Sequence, residues 1–412
     1  MRLLSALFCL VFPFFVHAQS SGKTIEQFTQ GMKAQPGFVS LYYDASSGKV
    51  YGEVSQLNQE ILYYTSLARG IGSNDIGLDR GKLGTEHVVK FEKMGQKLFL
   101  TEPNYAYRAI SNDPLEKKAV EESFAKSVHF AFDIVAQSKT AFLIDLTPFV
   151  LRDAVQAIES ISETNQGSFK IEPSRCAVFE EMTKSFPKNT EIETIITLSG
   201  TKPGRYLQAV VPTPSVVTMH QHHSFVELPD AGFKPREFDP RIGYNGIEFY
   251  DYSSPIHEPI VKKYISRHRL EKKDPTATLS EPVEPIVYYL DPGTPEPIRS
   301  ALFEGATWWN QAFEYAGYKN AFQVKMLPPD ADPMDIRYNL IQWVHRSTRG
   351  WSYGNSVTDP RTGEIIKGHV TPVNGNQPKL PATVIQVCIN TKTANKKSRC
   401  TEKIRDRIQR HI

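Results

Sequence analysis

At 412 residues, the chain has room for two to three domains of roughly 150 residues each, which excludes one small module. Its 40% apolar and 23% charged content is that of a folded chain, not of a largely disordered or fibrous one. The 48 Lys and Arg against 45 Asp and Glu leave a net charge of +3, too near neutral to imply a nucleic-acid partner.

Met1-Arg2, the apolar run over residues 3–16 and the small-residue pattern Val16-His17-Ala18 read as a signal peptide covering residues 1–18. A run of about 14 apolar residues is short for a bilayer and no later stretch reaches ~18, so no membrane span is expected. The mature chain is expected to be extracytoplasmic, periplasmic or secreted. Its remaining cysteines, Cys176, Cys388 and Cys400, make neither a disulfide framework nor a C-x-x-C zinc pair.

Residues 19–225 read as a β-rich domain with a few helices. Lys49–Val54 and residues 60–67 are strand-like, and Val89 and Phe91 alternate against Lys90 and Glu92 before a turn at Gly95 into Leu98-Phe99-Leu100. That pattern predicts a hairpin. Asp113-Pro114 predicts a helix start, and Val120, Phe124, Val128, Ala131 and Phe132 continue it at helical spacing. Residues 141–146 read as a strand, Thr147-Pro148 opens a second helix to about Ile161, and residues 192–198 and 206–211 read as strands.

Residues 226–284 are rich in Pro, Gly, Arg and Tyr and read as a connection wrapping the surface. Its basic run, Arg267 to Lys273, reads as a solvated face, because acidic residues interrupt it.

Residues 285–370 are more regular. Ile286–Leu290 is a continuous apolar run, as expected of a strand covered on both faces. After Thr294-Pro295, apolar residues at Ile298, Ala301, Leu302, Gly305, Trp309, Ala312, Phe313 and Ala316 keep a 3.6-residue stripe, with Gly317 as terminator. Alternation then predicts strands at Phe322–Met326 and at residues 336–340, and a hairpin joining residues 351–358 to 364–370. The fold class expected is α+β: the β-rich domain, then a mixed sheet with one long backing helix. Residues 371–412, with nine basic against two acidic residues, form an atypical basic tail.

Candidate metal ligands are His220, His222 and His223. On a strand the first two share a face and the third points away. At most two could bind one ion, zinc needs three or four ligands, and no nearby Cys or carboxylate pair completes them. The cluster is therefore expected to serve packing or surface. His257-Glu258 begins like H-E-x-x-H, but Pro259 and Val261 break the pattern. No H-E-x-x-H, Walker loop or G-x-G-x-x-G occurs.

Longer runs carry a resemblance. They are Tyr288-Tyr289-Leu290-Asp291-Pro292-Gly293-Thr294-Pro295-Glu296-Pro297, Trp308-Trp309-Asn310-Gln311-Ala312-Phe313-Glu314, Ile341-Gln342-Trp343-Val344-His345-Arg346, and Gly354-Asn355-Ser356-Val357-Thr358-Asp359-Pro360-Arg361. With Gly72-Ser73-Asn74-Asp75-Ile76-Gly77-Leu78-Asp79-Arg80-Gly81, Phe238-Asp239-Pro240-Arg241 and Arg267-His268-Arg269-Leu270-Glu271-Lys272, they resemble large bacterial secreted zinc-dependent metalloproteases with an EcxA-like, metzincin-type zinc-binding domain. The resemblance spans roughly residues 24–370.

It implies a partial metzincin-like catalytic domain at residues 285–370 and a peptide or protein substrate. In the intact family, zinc held on an H-E-x-x-H-x-x-G-x-x-H helix activates water. That helix has no match here, so the chain is expected to hold no zinc, to have no catalytic residues, and to be inactive in hydrolysis as written. The tail is expected to be a frame-shifted or prematurely ended remnant. What the resemblance leaves is peptide capture along an edge strand, with Tyr353, Gly354, Asn355 and Ser356 as substrate-binding residues. The alternatives are a non-enzymatic secreted peptide-binding or scaffold protein, and a glycan-acting or other secreted hydrolase.

Overall fold

The computed structural model describes residues 23–241, 243–347 and 352–372. The expected signal peptide and the tail beyond Pro372 lie outside them.

One antiparallel sheet of thirteen strands dominates the molecule. Its path runs from Lys33–Gln35 through Ser40–Asp44, Lys49–Val54, Phe142–Asp145, Ser127–Gln137, Lys97–Glu102, His87–Met94, Glu60–Arg69, Val216–Val226 and Asn189–Thr201 to Ser168–Ile171. Ala177–Val178 and Lys184–Ser185 also pair with Asn189–Thr201. The two ends of this path meet. Phe38 N donates to Phe186 O at 2.8 Å, Val39 N donates to Thr190 Oγ1 at 2.9 Å, and Ser185 Oγ donates to Val39 O at 2.9 Å. A sheet that curls back on itself in this way satisfies edge groups that would otherwise be left open.

Alternation fills the enclosed space. Val50, Tyr63, Val89, Phe91, Leu98, Leu100, Phe132, Ile144 and Phe225 come from seven strands and pack in one buried cluster with Phe149 and Val150. Each such side chain, fully withdrawn from water, stabilises the fold by about 1.5–3 kcal/mol.

A second sheet of five strands is ordered Phe322–Met326, Ile286–Leu290, Asn339–Ile341, Ile365–Thr371, Tyr353–Thr358. Its first four strands are parallel, and the last is antiparallel. The apolar stripe covers one face, with Leu302 and Ala306 packing on Leu290, Val324 and Ile341. On the other side Ile336 and Val357 pack with Leu62, Tyr64, Val88 and Val226 of the large sheet. The two sheets thus share a core.

The expected fold class does not hold. Strand exceeds helix, 39% to 16%, and the large nearly closed antiparallel sheet sets the architecture, not a metzincin-like α+β fold with a long backing helix. The stripe itself is broken at Trp308 into Ile298–Thr307 and Trp309–Tyr315. Three local expectations also change. The helix begun by Asp113, whose carboxylate accepts from Leu115 N at 2.8 Å, ends at Ser123, and Ser127–Gln137 is a strand. The second helix splits into Thr147–Val150 and Ala157–Glu163, with Gln156 left-handed at φ 55°. Residues 206–211, read as a strand, lie mostly in the helix Arg205–Val210.

The 226–284 segment contributes Gly246–Asp251 and Val261–Ile265, which pair with each other and, through the first, with Tyr107–Arg108. Its basic run is tied down rather than solvated. Arg269 pairs with Glu364 at 2.8 Å and Asp230 at 2.7 Å, and Arg267 N donates to Gly363 O at 3.0 Å. No helix among the described residues is long and apolar enough to cross a membrane.

Gly368 occupies a point of close approach. A Cβ there would fall 1.9 Å from Tyr288 Oη, and Gly368 N donates to Asn339 Oδ1 at 2.7 Å. Gly368→Ala is expected to destabilise the protein by about 1–3 kcal/mol, the usual cost of overpacking. Urea melts of the two proteins check this; equal midpoints would contradict it.

Candidate functional site

The large sheet gathers a cluster that the periodicity reading missed. In the hairpin His87–Met94/Lys97–Glu102, His87, Val89 and Phe91 share a face, as do Leu98, Leu100 and Glu102, and the apolar members point into the core. His87 and Glu102 continue those faces to the open end of the hairpin. The third member, His129, depends on an irregularity. Thr101 pairs with Val128 but Leu100 pairs with Phe130, so His129 is an extra residue bulged out of the ladder. A bulge turns consecutive side chains toward one face, and His129 and Phe130 thereby both reach the interior side.

The three side chains converge. His87 Nδ1 lies 3.0 Å from Glu102 Oε1 and His129 Nε2 lies 2.7 Å from Glu102 Oε2. The imidazole rings are 4.8 Å apart at 65°. Burial pushes the Glu102 carboxyl up, but hydrogen bonds from His129 and His87 outweigh it and hold it at about 2. The side chains are 16–28% exposed, so water and small ions reach them. Period-2 alternation places His87 and Glu102 on one face; a helical reading of residues 120–132 hid His129.

His220, His222 and His223 lie where strand alternation puts them. His220 and His222 share one face and bracket Glu193 of the neighbouring strand, each at 2.6 Å. Glu193 is the carboxylate that the sequence reading did not find for them. Burial raises its carboxyl, and the bonds from His222 and His220 more than reverse this, leaving it lowered. Arg69 Nε stands 3.9 Å away, so a guanidinium already occupies that side.

His223 faces the opposite way, into the core. Tyr63 Oη lies 2.9 Å from its Nδ1, and its Nε2 lies 2.9 Å from Val150 O. A neutral ring with the proton on Nε2 satisfies both, and burial with Arg152 nearby favours that neutral form by pushing this imidazole down to about 3. Structure thus separates the three histidines into a pair on one face of the sheet and a core residue on the other.

Further along the same face, Glu191 accepts from Ser224 Oγ at 2.6 Å and Asn189 Nδ2 at 2.8 Å, and burial raises its carboxyl. Lys367 comes from the second sheet and donates to Pro333 O at 2.7 Å and Asp335 O at 3.1 Å. Burial pushes its amine down to about 8. These groups join the sheets and are closed to ligands.

Tyr353, Gly354, Asn355 and Ser356 lie together on the edge strand Tyr353–Thr358, far from the histidines in sequence. Their backbone directions follow from the ladder. Val370 O accepts from Gln342 N at 2.8 Å and Gly368 N donates to Asn339, so both residues face the inner neighbour. Their partners Gly354 and Ser356 therefore turn their N–H and C=O groups away from the sheet. Gly354 and Asn355 are exposed, and Asn355 Oδ1 accepts from Ser356 N at 2.9 Å.

No curated protein and no solved structure matches the chain. Residues 81–273 match the family profile described as Domain of unknown function (DUF5117), a span that contains all of the histidine–carboxylate residues above and ends before the edge strand.

Proposed function

We propose that this chain is a peptide-handling protein of the secreted zinc-metallopeptidase type that its sequence resembles, and that the Tyr353–Thr358 edge captures an extended peptide by strand addition. The outward backbone of Gly354 and Ser356 carries the proposal. An approaching main chain finds donor and acceptor groups at strand spacing, and Gly354 has no side chain to hold it off. Asn355 bonds its neighbour's N–H at this edge, a side-chain cover that an incoming carbonyl would displace. The proposal assigns capture only. These 412 residues contain no H-E-x-x-H sequence of the kind that holds zinc in the resembled family. A non-enzymatic peptide-binding role is the second reading, favoured by the same edge.

Gly354→Pro tests it, since proline removes an outward donor and leaves the ladder to Ile365–Thr371 intact. Binding of a fluorescent, unstructured casein-derived peptide is expected to weaken about tenfold, the effect of ~1.4 kcal/mol, with the melting temperature unchanged. Asn355→Pro is the control: it removes a ladder donor and lowers stability. Peptide binding unaltered by Gly354→Pro, or absent from the unaltered chain, rejects the edge as the capture site.

A further inference from the structure

We propose that His87, Glu102 and His129 form a binding site for one divalent transition-metal ion, with zinc the metal of choice. Two imidazoles and one carboxylate are a ligand set that zinc accepts, with a fourth position left for water. The ligand atoms of these three residues all lie within 4.8 Å of one another. Around a zinc ion with bonds of about 2.0–2.2 Å, tetrahedral ligands stand roughly 3.3–3.5 Å apart. An ion therefore fits with side-chain adjustments alone: the 3.0 and 2.7 Å contacts open slightly, and the backbone stays in place.

Three further observations point the same way. The β-bulge at His129 disrupts the ladder to aim that ring at Glu102, and bulges of this kind accompany functional sites. The cluster sits at the end of the apolar interior face, so its floor is rigid. Tyr63 packs against both imidazoles at 6.2–6.3 Å between ring centres. Arg152, the cation that reaches the far side of Tyr63, is occupied: Nη2 donates to Tyr63 Oη at 3.1 Å and the guanidinium lies over Phe149. The Glu193 cluster has the same composition but differs on this count, because Arg69 Nε stands 3.9 Å from its carboxylate.

A metal here would join the His87–Glu102 hairpin to the Ser127–Gln137 strand. To bind the ion, each ring must present an unprotonated nitrogen toward Glu102, with any proton carried on its other nitrogen. The site is independent of the edge strand, and the outcome of the peptide experiment does not bear on it.

The test uses the full chain, stripped with a chelator and dialysed, then titrated with zinc chloride in a calorimeter and assayed for retained metal. One equivalent is expected, with a metal-dependent rise in melting temperature. Cobalt(II) in its place is expected to give visible absorption bands of a four-coordinate nitrogen and oxygen site. Glu102→Gln, nearly the same shape, and His129→Ala should each lose stoichiometric binding while keeping a cooperative melt in chelator. His222→Gln should bind as the unaltered chain does. Less than one equivalent of zinc in the unaltered chain, full retention by Glu102→Gln and His129→Ala, or loss only in His222→Gln each overturns the assignment.

Discussion

Between pH 7 and pH 5 the protein will lose about 2 kcal/mol of stability for each of three buried imidazoles, His223, His268 and His369. Burial pushes all three down in the folded state, His223 to about 3 and His268 and His369 to about 4, against 6.5 for a free ring. His369 also faces Lys367 and Arg80, which lower it further, and lies 3.0 Å from Gln342 Oε1 through Nε2. His268 Nε2 lies 3.3 Å from Tyr288 Oη. A depressed folded value means stability is complete above pH 6.5 and is lost as the pH falls toward 3–4, because unfolding then takes up a proton. At pH 5 the gap of about 1.5 units at 1.36 kcal/mol per unit sets the figure. Burial raises the Glu86 and Glu191 carboxyls, which works in the opposite direction, so single variants decide the matter. His223→Gln and His369→Gln should each flatten the pH dependence of urea-derived stability by about 2 kcal/mol. Parallel stability curves for variant and unaltered protein would remove the imidazoles as its cause.

Arg346→Leu is expected to cost about 3–5 kcal/mol, the penalty for leaving one member of a buried ion pair behind. Arg346 Nε stands 2.7 Å from Asp79 Oδ2, with side-chain exposures of 0% and 6%. Burial raises the Asp79 carboxyl, and Arg346 opposes that effect without cancelling it. The pair ties the glycine-rich turn around Ile76 and Leu78 to the second sheet. There the Arg346 guanidinium also lies 5.2 Å over the ring of Tyr353 on the edge strand, so the same substitution should loosen the capture edge. The double variant Asp79→Asn/Arg346→Met removes both charges and should recover much of the loss. Denaturant melts measure both; a single variant within 1 kcal/mol of the unaltered chain would show that the pair contributes little.

Local pattern revealed those parts whose causes are local. The hairpin around Gly95 followed from alternation, and φ 62° at that glycine shows the turn's demand. The helix after Asp113 followed from its cap and proline, and the terminator Gly317 has φ 92°. The edge strand followed from the turn Asp359-Pro360-Arg361-Thr362-Gly363, with Gly363 at φ 81°. Alternation also separated His220 and His222 from His223. The helical reading fails at residues 127–132 because Phe124, Val128, Ala131 and Phe132 fit a helical spacing as well as a strand with one bulge. Pairing with Lys97–Glu102 on one side and Phe142–Asp145 on the other decided between them.

The sequence by itself determined that this is a folded chain rich in strands, which segments alternate, where several of its caps and turns fall, and which histidines share a face. Those properties depend on residues a few positions apart. Only the tertiary structure decided that the large sheet curls until Phe38 meets Phe186, that Glu193 sits between His220 and His222, and that a bulge brings His129 to Glu102 and His87. Strand order and register link residues tens to more than a hundred positions apart, through backbone hydrogen bonds that every residue type can make, and so leave no local mark in the sequence.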